Sequence, residues 1–341
     1  MIRKFARRVA AFWNGWVTFF GRREPGTALA LFRIAVGLCV AAEIGGTVLC
    51  GVSDAVWLDA RFGGYRSLEP NWLVAWLGGA APGTVKSLIG VCLAASAALA
   101  LGWHARLAAF VCLQAFVALV TLNRDVVSSY TLLMSNALWL LVLARSAQTL
   151  SLDCRRRTGA WTDATPVPAW PRYLAGFQVL LMYFSSGLHK VGSDWPLGGG
   201  LSAIYYTLQQ PAWQRFGMEW LAWIYPLTQA ATLVSWVWEL AAPVWLVALY
   251  FDATPERDSR ARRLFRRLRM KFVFVTLGIA FHLQILIFMR VGNFSFISLA
   301  YYLCLLRPKG DGPRSSTGTQ ASPTGLATDA AKDCCRASRS A

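Results

Sequence analysis

Eight stretches of the 341-residue chain are apolar enough to lie in hydrocarbon, and they exclude most other architectures. A helix that crosses a bilayer needs about 20 mostly apolar residues. The stretches are residues 27–49, 85–103, 105–122, 128–146, 172–190, 228–250, 271–289 and 293–306. Because backbone groups in lipid must be hydrogen-bonded within the protein, we expect these stretches to be helices. The sequence therefore predicts an all-α, polytopic integral membrane bundle of about eight transmembrane helices, with seven or nine spans as alternatives.

The distribution of basic residues favours this count and predicts an orientation. The formal net charge is +17, and Lys and Arg cluster before the first stretch, after the fourth, between the sixth and seventh, and after the last. Cytoplasmic loops of membrane proteins collect these residues, and with eight spans all the clusters fall on one side. We therefore expect a multi-pass protein with cytoplasmic N- and C-termini, in a pattern that suits a bacterial inner membrane. Nucleic acid is not an expected partner, because the basic runs are loop-length and lack interleaved aromatic residues.

The two ends of the chain differ from its apolar middle. Residues 1–24 carry apolar residues at helical spacing between basic ones, which predicts an interfacial amphipathic helix. Residues 25–307 form the predicted transmembrane domain, and residues 308–341, rich in Ser, Thr, Gly, Pro and Ala, a disordered cytoplasmic tail. Cys334 and Cys335 in that tail are either inert or sites of reversible lipidation. The cysteines show no metal-ligand spacing, so no metal is expected.

Ionisable side chains inside apolar stretches are costly and are candidate functional residues by default. Arg33 lies near the predicted cytoplasmic end of its stretch, and we expect it to extend to the membrane surface. Glu239 and His282 lie about halfway along the sixth and seventh stretches, so they share a depth. We expect the two to pair. Two interpretations remain open: a structural pair, or the floor of a cavity that opens outward.

Lys190 ends the fifth apolar stretch, and it has two interpretations. It anchors the helix at the outer membrane surface, or it is a proton acceptor at the rim of the cavity. Lysine has an ordinary pKa of ~10.4, and only desolvation makes a lysine amine a base at neutral pH. The surrounding sequence supplies apolar walls for such a pocket. They are Tyr183, Phe184, Trp195, Tyr205 and Tyr206.

Four segments, in order, carry a resemblance to a known family. They are LALFRIAVGLCVAAE (29–43), SLDCRRR (151–157), YFSSGLHKVGSDWPLGG (183–199) and FHLQILIFMRVGNFSFISLAYYL (281–303). Together they resemble the membrane domain of vitamin K-dependent gamma-carboxylases and their bacterial relatives, the horizontally transferred transmembrane (HTTM) domain proteins. The similarity covers residues from about 27 to 306.

The resemblance implies roles for individual residues. Lys190 stands five residues before Trp195, as the proposed catalytic base of the carboxylases does before the tryptophan of this loop. That base deprotonates a reduced naphthoquinone (vitamin K hydroquinone, or menaquinone in bacteria). Reaction with dioxygen then gives a base that removes a proton from the gamma carbon of a substrate glutamate, to which carbon dioxide adds. His282 and Glu239, with Trp195 and Tyr183, would line the cavity for quinone or substrate.

Departures from the carboxylase pattern leave other functions open. Asn123 in LNRDVVSSY is the counterpart of an Asn in an Asn-His pair, but no histidine follows it. In the animal enzymes a large lumenal domain that binds the substrate propeptide follows the membrane region, whereas here we expect a disordered tail, so the substrate, a peptide or a small molecule, stays open. The alternatives are a non-catalytic or partner-dependent component of a peptide or toxin maturation system, acting with a small soluble protein, and a quinone-binding scaffold without turnover.

Overall fold

The computed structural model describes residue 10 and residues 13–306, and this part of the chain is mostly helical. The interfacial helix predicted at 1–24 falls partly on this region, and the tail predicted at 308–341, with Cys334 and Cys335, lies outside the described residues. The α-helices are α1 (13–20), α2 (Thr27–Leu49), α3 (Ser53–Trp57), α4 (Trp72–Trp76), α5 (Pro82–Leu101), α6 (Ala105–Val120), α7 (Ser129–Leu143), α8 (Leu152–Thr158), α9 (Trp170–His189), α10 (Ala203–Gln209), α11 (Tyr225–Leu240), α12 (Ala242–Ala253), α13 (Arg260–Arg267), α14 (Met270–Phe288) and α15 (Phe294–Leu305).

Other regular elements in the described region are short. Strands β1 (Arg23–Glu24) and β2 (Val167–Pro168) form an antiparallel pair that joins the entrance of α2 to the entrance of α9. Four 3-10 helices lie in the loops. They are Ala60–Phe62, Arg124–Val126, Leu197–Gly199 and Glu219–Ile224.

Three helices in the described region, α2, α5 and α14, are long and apolar enough to cross a bilayer. The segment Glu219–Leu240, which contains α11, and the following helix α12 together qualify as a fourth span, although the chain bends by 55° between them. The apolar helices α6, α7 and α15 are shorter; the 16 residues of α6 span about 24 Å, less than the ~30 Å of hydrocarbon. The all-helical membrane architecture is therefore confirmed, whereas these lengths do not confirm the count of about eight.

The bend between α11 and α12 has a clear cause in the sequence. Pro243 occupies the first turn of α12, where it has no N–H to donate back to the carbonyl of Glu239. The chain turns at Ala241, which ends one helix and begins the next. Proline therefore places Glu239 in the last turn of α11, beside a bend in the backbone.

Helices α5 and α6 form the hairpin that the sequence predicts around His104. Gly102 and His104 both adopt positive φ, 70° and 43°, which reverses the chain within three residues. A Cβ on Gly102 would lie 2.2 Å from Arg33 Nη1, so only glycine fits this turn. Asp153 accepts from the backbone N–H groups of His104 and Ala105, at 2.9 and 3.1 Å, and so caps α6.

Arg33 does not extend to the membrane surface, and that expectation is wrong. Its side chain is fully buried and donates to the backbone carbonyls of Leu150 (2.6 Å), Ser146 (3.3 Å) and Ala100 (3.4 Å). The physical reason is that the chain after α7 and the end of α5 present unpaired carbonyls beside α2. A guanidinium with five donors satisfies several of them at once.

The loop between α9 and α11 folds back onto the protein. Leu208, Met218 and Leu221 form a second buried cluster, and Phe288 and Met289 at the end of α14 pack against it. Backbone hydrogen bonds join this loop to the exit of α14. The loop that follows Lys190 is therefore ordered, which fixes the surroundings of that residue.

Candidate functional site

Lys190 and Glu239 form an ion pair at the end of the helical bundle. Lys190 is the C-cap of α9, and its Nζ lies 2.6 Å from Glu239 Oε2 on α11. The Glu239 side chain is 3% exposed and the Lys190 side chain 18%, so the carboxylate lies inside the protein and the amine at the edge. An ion pair so poorly hydrated costs desolvation energy, which sets it apart from a surface salt bridge.

Gly187 brings the two helices close enough for this pair to form. A Cβ at position 187 would lie 3.1 Å from Glu239 Cβ and 3.1 Å from the backbone nitrogen of Leu240. Any larger residue would push α9 and α11 apart. The carbonyl of Gly187 accepts from the indole of Trp236 at 3.2 Å and from the backbone N–H of Lys190 at 3.4 Å, so α11 is tied to the last turn of α9.

Trp195 covers the other side of the Lys190 amine. Lys190 Nζ lies 4.3 Å from the centroid of the Trp195 ring, within the range of a cation–π contact. The glycine-rich turn places the ring there: a Cβ on Gly199 would lie 1.5 Å from Ser193 O, so the turn closes only with glycine at 199. Asp194 stabilises the same turn, because it accepts a hydrogen bond from Ser202 Oγ at 3.1 Å.

Tyr183 and His282 form a second buried pair. The Tyr183 hydroxyl lies 2.6 Å from His282 Nε2, and both side chains are buried. Aromatic rings enclose them, with Trp238 4.6 Å from Tyr183 and Phe294 5.3 Å from His282, centroid to centroid. His282 Nδ1 is buried and has no hydrogen-bond partner within residues 13–306. A buried nitrogen left unpaired is a place where a polar group of a ligand or a water fits.

The expected pairing of Glu239 with His282 is wrong. Glu239 meets Lys190, and His282 meets Tyr183. Both residues lie in helices, but position along a helix does not determine which way a side chain points around the helix axis. Trp238, which neighbours Glu239 in the chain and contacts Tyr183, links the two pairs.

Asn123 has partners of a different kind. Its amide donates to the carbonyl of Val56 at 3.1 Å, and its oxygen accepts from the N–H of Asp125 at 3.1 Å. These bonds tie the loop after α6 to α3. Asp125 in turn receives hydrogen bonds from Tyr65 and Arg66, which lower the pKa of its carboxyl. The described contacts make Asn123 a structural residue of this loop, and none of its hydrogen bonds reaches Lys190, Glu239, Tyr183 or His282.

A third polar cluster involves Glu43 of α2. Tyr130 donates to Glu43 Oε1 at 3.0 Å and Asn293 donates to Glu43 Oε2 at 2.7 Å. Gly292, with φ of 56°, leaves room for Tyr130, since a Cβ there would lie 2.7 Å from the Tyr130 hydroxyl. Sequence reasoning did not find this cluster, because its members come from three helices far apart in the chain. The signal available was the acidic residue inside the first apolar stretch.

The first two pairs consist of groups that can exchange protons and contact an aromatic ring. No group of three or more His, Cys, Asp or Glu side chains in the described part of the chain is placed to hold a metal ion. The site offers one amine, one carboxylate, one imidazole and one phenol, surrounded by aromatic rings.

Apolar helices that enclose buried ionic and hydrogen-bonded pairs define a polytopic helical membrane protein. The family model of the HTTM domain matches residues 22–309, which is most of the chain. The protein therefore belongs to the HTTM domain family, as the four sequence segments indicate. No curated protein and no solved structure gave a significant match.

Proposed function

We propose that this protein is a carboxylase-like membrane enzyme in which Lys190 acts as the base toward the acidic hydroxyl of a reduced quinone taken from the bilayer. The observation that carries the proposal is the contact of Lys190 Nζ with a buried carboxylate on one side and an aromatic face on the other. A plain surface anchor needs neither contact. The Lys190 side chain is partly exposed, so it lies at the edge of the bundle, where a ligand from the bilayer would approach.

Glu239 gives the amine a route to the neutral form. Transfer of one proton from the Lys190 ammonium to the Glu239 carboxylate leaves an amine and a carboxylic acid. A poorly hydrated site favours that uncharged state more than water does. The amine is then free to accept a proton at Nζ. Glu239 is therefore a positioning and proton-holding residue, which acts through Lys190.

The residues present fit a naphthoquinone. Lys190 offers a proton acceptor, Trp195 an aromatic surface, and His282 a buried nitrogen without a hydrogen-bond partner among the described residues. Lys190 and Trp195 would hold the reduced ring. When bound, the hydroquinone would supply the acidic hydroxyl and the reducing equivalents for reaction with dioxygen. A peptide or small molecule is the proposed substrate.

The ion pair also favours a second function. A lysine held charged by Glu239 at 2.6 Å is a structural clamp between α9 and α11, as in a quinone-binding scaffold or a partner-dependent maturation component without turnover. The two functions differ in one respect. Only the enzyme needs an uncharged Lys190 during its cycle.

The membrane arrangement that we propose has eight spans, both termini in the cytoplasm, and a bacterial inner membrane as its location. It is supported by the one-sided distribution of basic residues. It is also supported by a helix at the position of each predicted stretch. These helices are α2, α5, α6, α7, α9, α11 with α12, α14 and α15.

Copurification tests the proposal. Wild type, Lys190→Ala and Lys271→Ala are purified from native membranes in a mild detergent, and retained quinones are identified by mass spectrometry. Lys271 is the matched control, because its Nζ also meets a carboxylate, Asp252 Oδ2, at 2.8 Å. We expect quinone with wild type and Lys271→Ala, and loss of most of it in Lys190→Ala.

A further double variant, Lys190→Met with Glu239→Met, removes the amine without leaving an unpaired buried charge. It should also lose the quinone while its thermal unfolding in detergent stays close to that of wild type. Equal quinone in all four proteins, or none in wild type, would contradict the proposal.

A further inference from the structure

A basic cleft lies at the end of the α5–α6 hairpin, between the start of α6, the exit of α7 and α8. Its volume is about 430 Å³. Three arginines line it, Arg106, Arg145 and Arg157, together with His104 and one acidic residue, Asp153. Counting the histidine as neutral, three positive charges and one negative charge leave a formal charge of +2. The cleft is therefore complementary to an anion.

The charged side chains of the cleft differ in the hydrogen-bond and ion-pair partners that they have within the protein. Asp153 points at the backbone N–H groups of α6, which it caps. Arg106 donates to the carbonyls at the end of α7 at 3.3 and 3.4 Å, and Arg157 pairs with Asp163 at 3.0 Å. Arg145 is exposed and makes no hydrogen bond or ion pair with any residue in the described region. One guanidinium of the cleft is thus available with all its donors.

We expect lipid headgroups at the level of this cleft, because apolar helices end there. Three apolar helices end or begin at it: α5 ends at Leu101, α6 begins at Ala105 and α7 ends at Leu143. Leu107 and Leu143, beside the arginines, are exposed, and so is Trp103 at the hairpin tip. Tryptophan is enriched at this level of a membrane, and exposed leucines next to it face the hydrocarbon of lipid tails.

We propose that this cleft binds the phosphate headgroup of an anionic phospholipid, with Arg145 as its principal contact and the lipid tails lying along Leu107 and Leu143. A guanidinium binds a phosphate through two parallel hydrogen bonds, which gives geometric as well as electrostatic preference. Basic pockets between membrane helices on the cytoplasmic side are recurrent sites for anionic headgroups. The apolar surface beside the charges favours a lipid over a free phosphate ion, which has no part that would use it.

Lipid binding to the purified protein tests this proposal. Native mass spectrometry in detergent measures the apparent affinity for phosphatidylglycerol and for phosphatidylcholine with the same acyl chains. The proteins are wild type, Arg145→Gln, Arg145→Lys and Arg267→Gln. Arg267 on α13 is the matched control: it is exposed, and its side chain has no hydrogen bond or ion pair within the described residues.

We expect wild type to prefer phosphatidylglycerol and Arg145→Gln to bind it about fivefold more weakly, the factor that corresponds to the ~1 kcal/mol contributed by one basic residue near an anionic lipid. Arg145→Lys should retain most of the affinity, and Arg267→Gln all of it. Because the side chain of Arg145 supports no described contact, all variants should unfold at the wild-type temperature.

Three results would overturn the proposal. They are equal affinity of Arg145→Gln and wild type, equal affinity of wild type for the two lipids, and displacement of phosphatidylglycerol by inorganic phosphate at similar concentration. The last result would make the cleft a site for free phosphate. Quinone binding at Lys190 does not enter this test, so the two proposals stand or fall separately.

Discussion

The Lys190–Glu239 pair should respond unequally to the loss of one partner or the other. In Lys190→Met a carboxylate that is 3% exposed loses its counter-charge and cannot reach water. In Glu239→Gln the remaining charge is on a lysine that is 18% exposed and has a flexible stem, so its amine can turn outward. The glutamine also keeps an oxygen that accepts from the amine. The first variant should therefore be the less stable.

The expected magnitudes follow from burial. Removing one partner of a buried pair costs about 3–5 kcal/mol in the free energy of unfolding, which we expect for Lys190→Met. Glu239→Gln should cost about 1–3 kcal/mol, the range for a weakened buried hydrogen bond. The double variant Lys190→Met with Glu239→Met should be more stable than Lys190→Met alone, because no charge stays buried.

The assay is reversible unfolding in mixed micelles, titrated with sodium dodecyl sulfate and followed by far-UV circular dichroism. Lys271→Met is the control, because its pair with Asp252 has side chains that are 25% and 38% exposed. We expect it to cost about 0–1 kcal/mol. If Lys190→Met costs no more than Lys271→Met, or if the double variant is no more stable than Lys190→Met alone, the buried ion pair does not stabilise the protein as argued.

Three further predictions concern other parts of the chain. A reporter at residue 210 should locate outside the cell and one in the arginine-rich loop after α12 in the cytoplasm; exchange of the two would contradict eight spans. Tyr183→Phe should lower the free energy of unfolding by about 1–3 kcal/mol, because His282 Nε2 is left unpaired, and an unchanged value would mean that the bond is not made. Hydrogen bonds from two backbone amides, the larger effect coming from Leu68, lower the pKa of the Asp59 carboxyl. The contribution of these bonds to the stability of the fold is therefore present above the unfolded pKa of ~3.9 and is lost as the pH falls through the folded pKa. The protection of backbone amides in this loop against hydrogen exchange, relative to their intrinsic rates, should fall as the pH is lowered in wild type and not in Asp59→Asn.

The parts of the fold that depend only on the local sequence were predictable. Apolar stretches of sufficient length predict helices, and a helix lies at each of the predicted positions. The turn at His104 was also predictable, since the two stretches around it leave no room for a longer loop. The sequence also predicted Trp195 as part of the apolar walls around Lys190, and the two residues are in contact.

The partners of buried polar groups were not predictable in the same way. Position along a helix gives the depth of a residue, but contact also requires the rotation of each helix and the identity of its neighbours. Glu239 and His282 were expected to pair from their positions along their helices, and each has a different partner. Arg33 was misjudged for the same reason, because the carbonyls it binds come from other helices and loops.

The proton-accepting role of Lys190 is tested most directly by oxidation of a hydroquinone in membranes under air, compared between wild type, Lys190→Arg and Lys190→Ala at matched expression. Arginine keeps the positive charge next to Glu239, so the fold should survive, but a guanidinium with a pKa above ~12 cannot accept a proton at neutral pH. Lys271→Arg, in the other lysine pair, serves as the control.

We predict a loss of activity of roughly 100-fold or more in both Lys190 variants, the usual contribution of a general base, with methylamine partly restoring Lys190→Ala. The Lys271→Arg protein should remain active. Activity in Lys190→Arg within about twofold of wild type, the result expected where only a positive charge is needed at this position, would contradict the account.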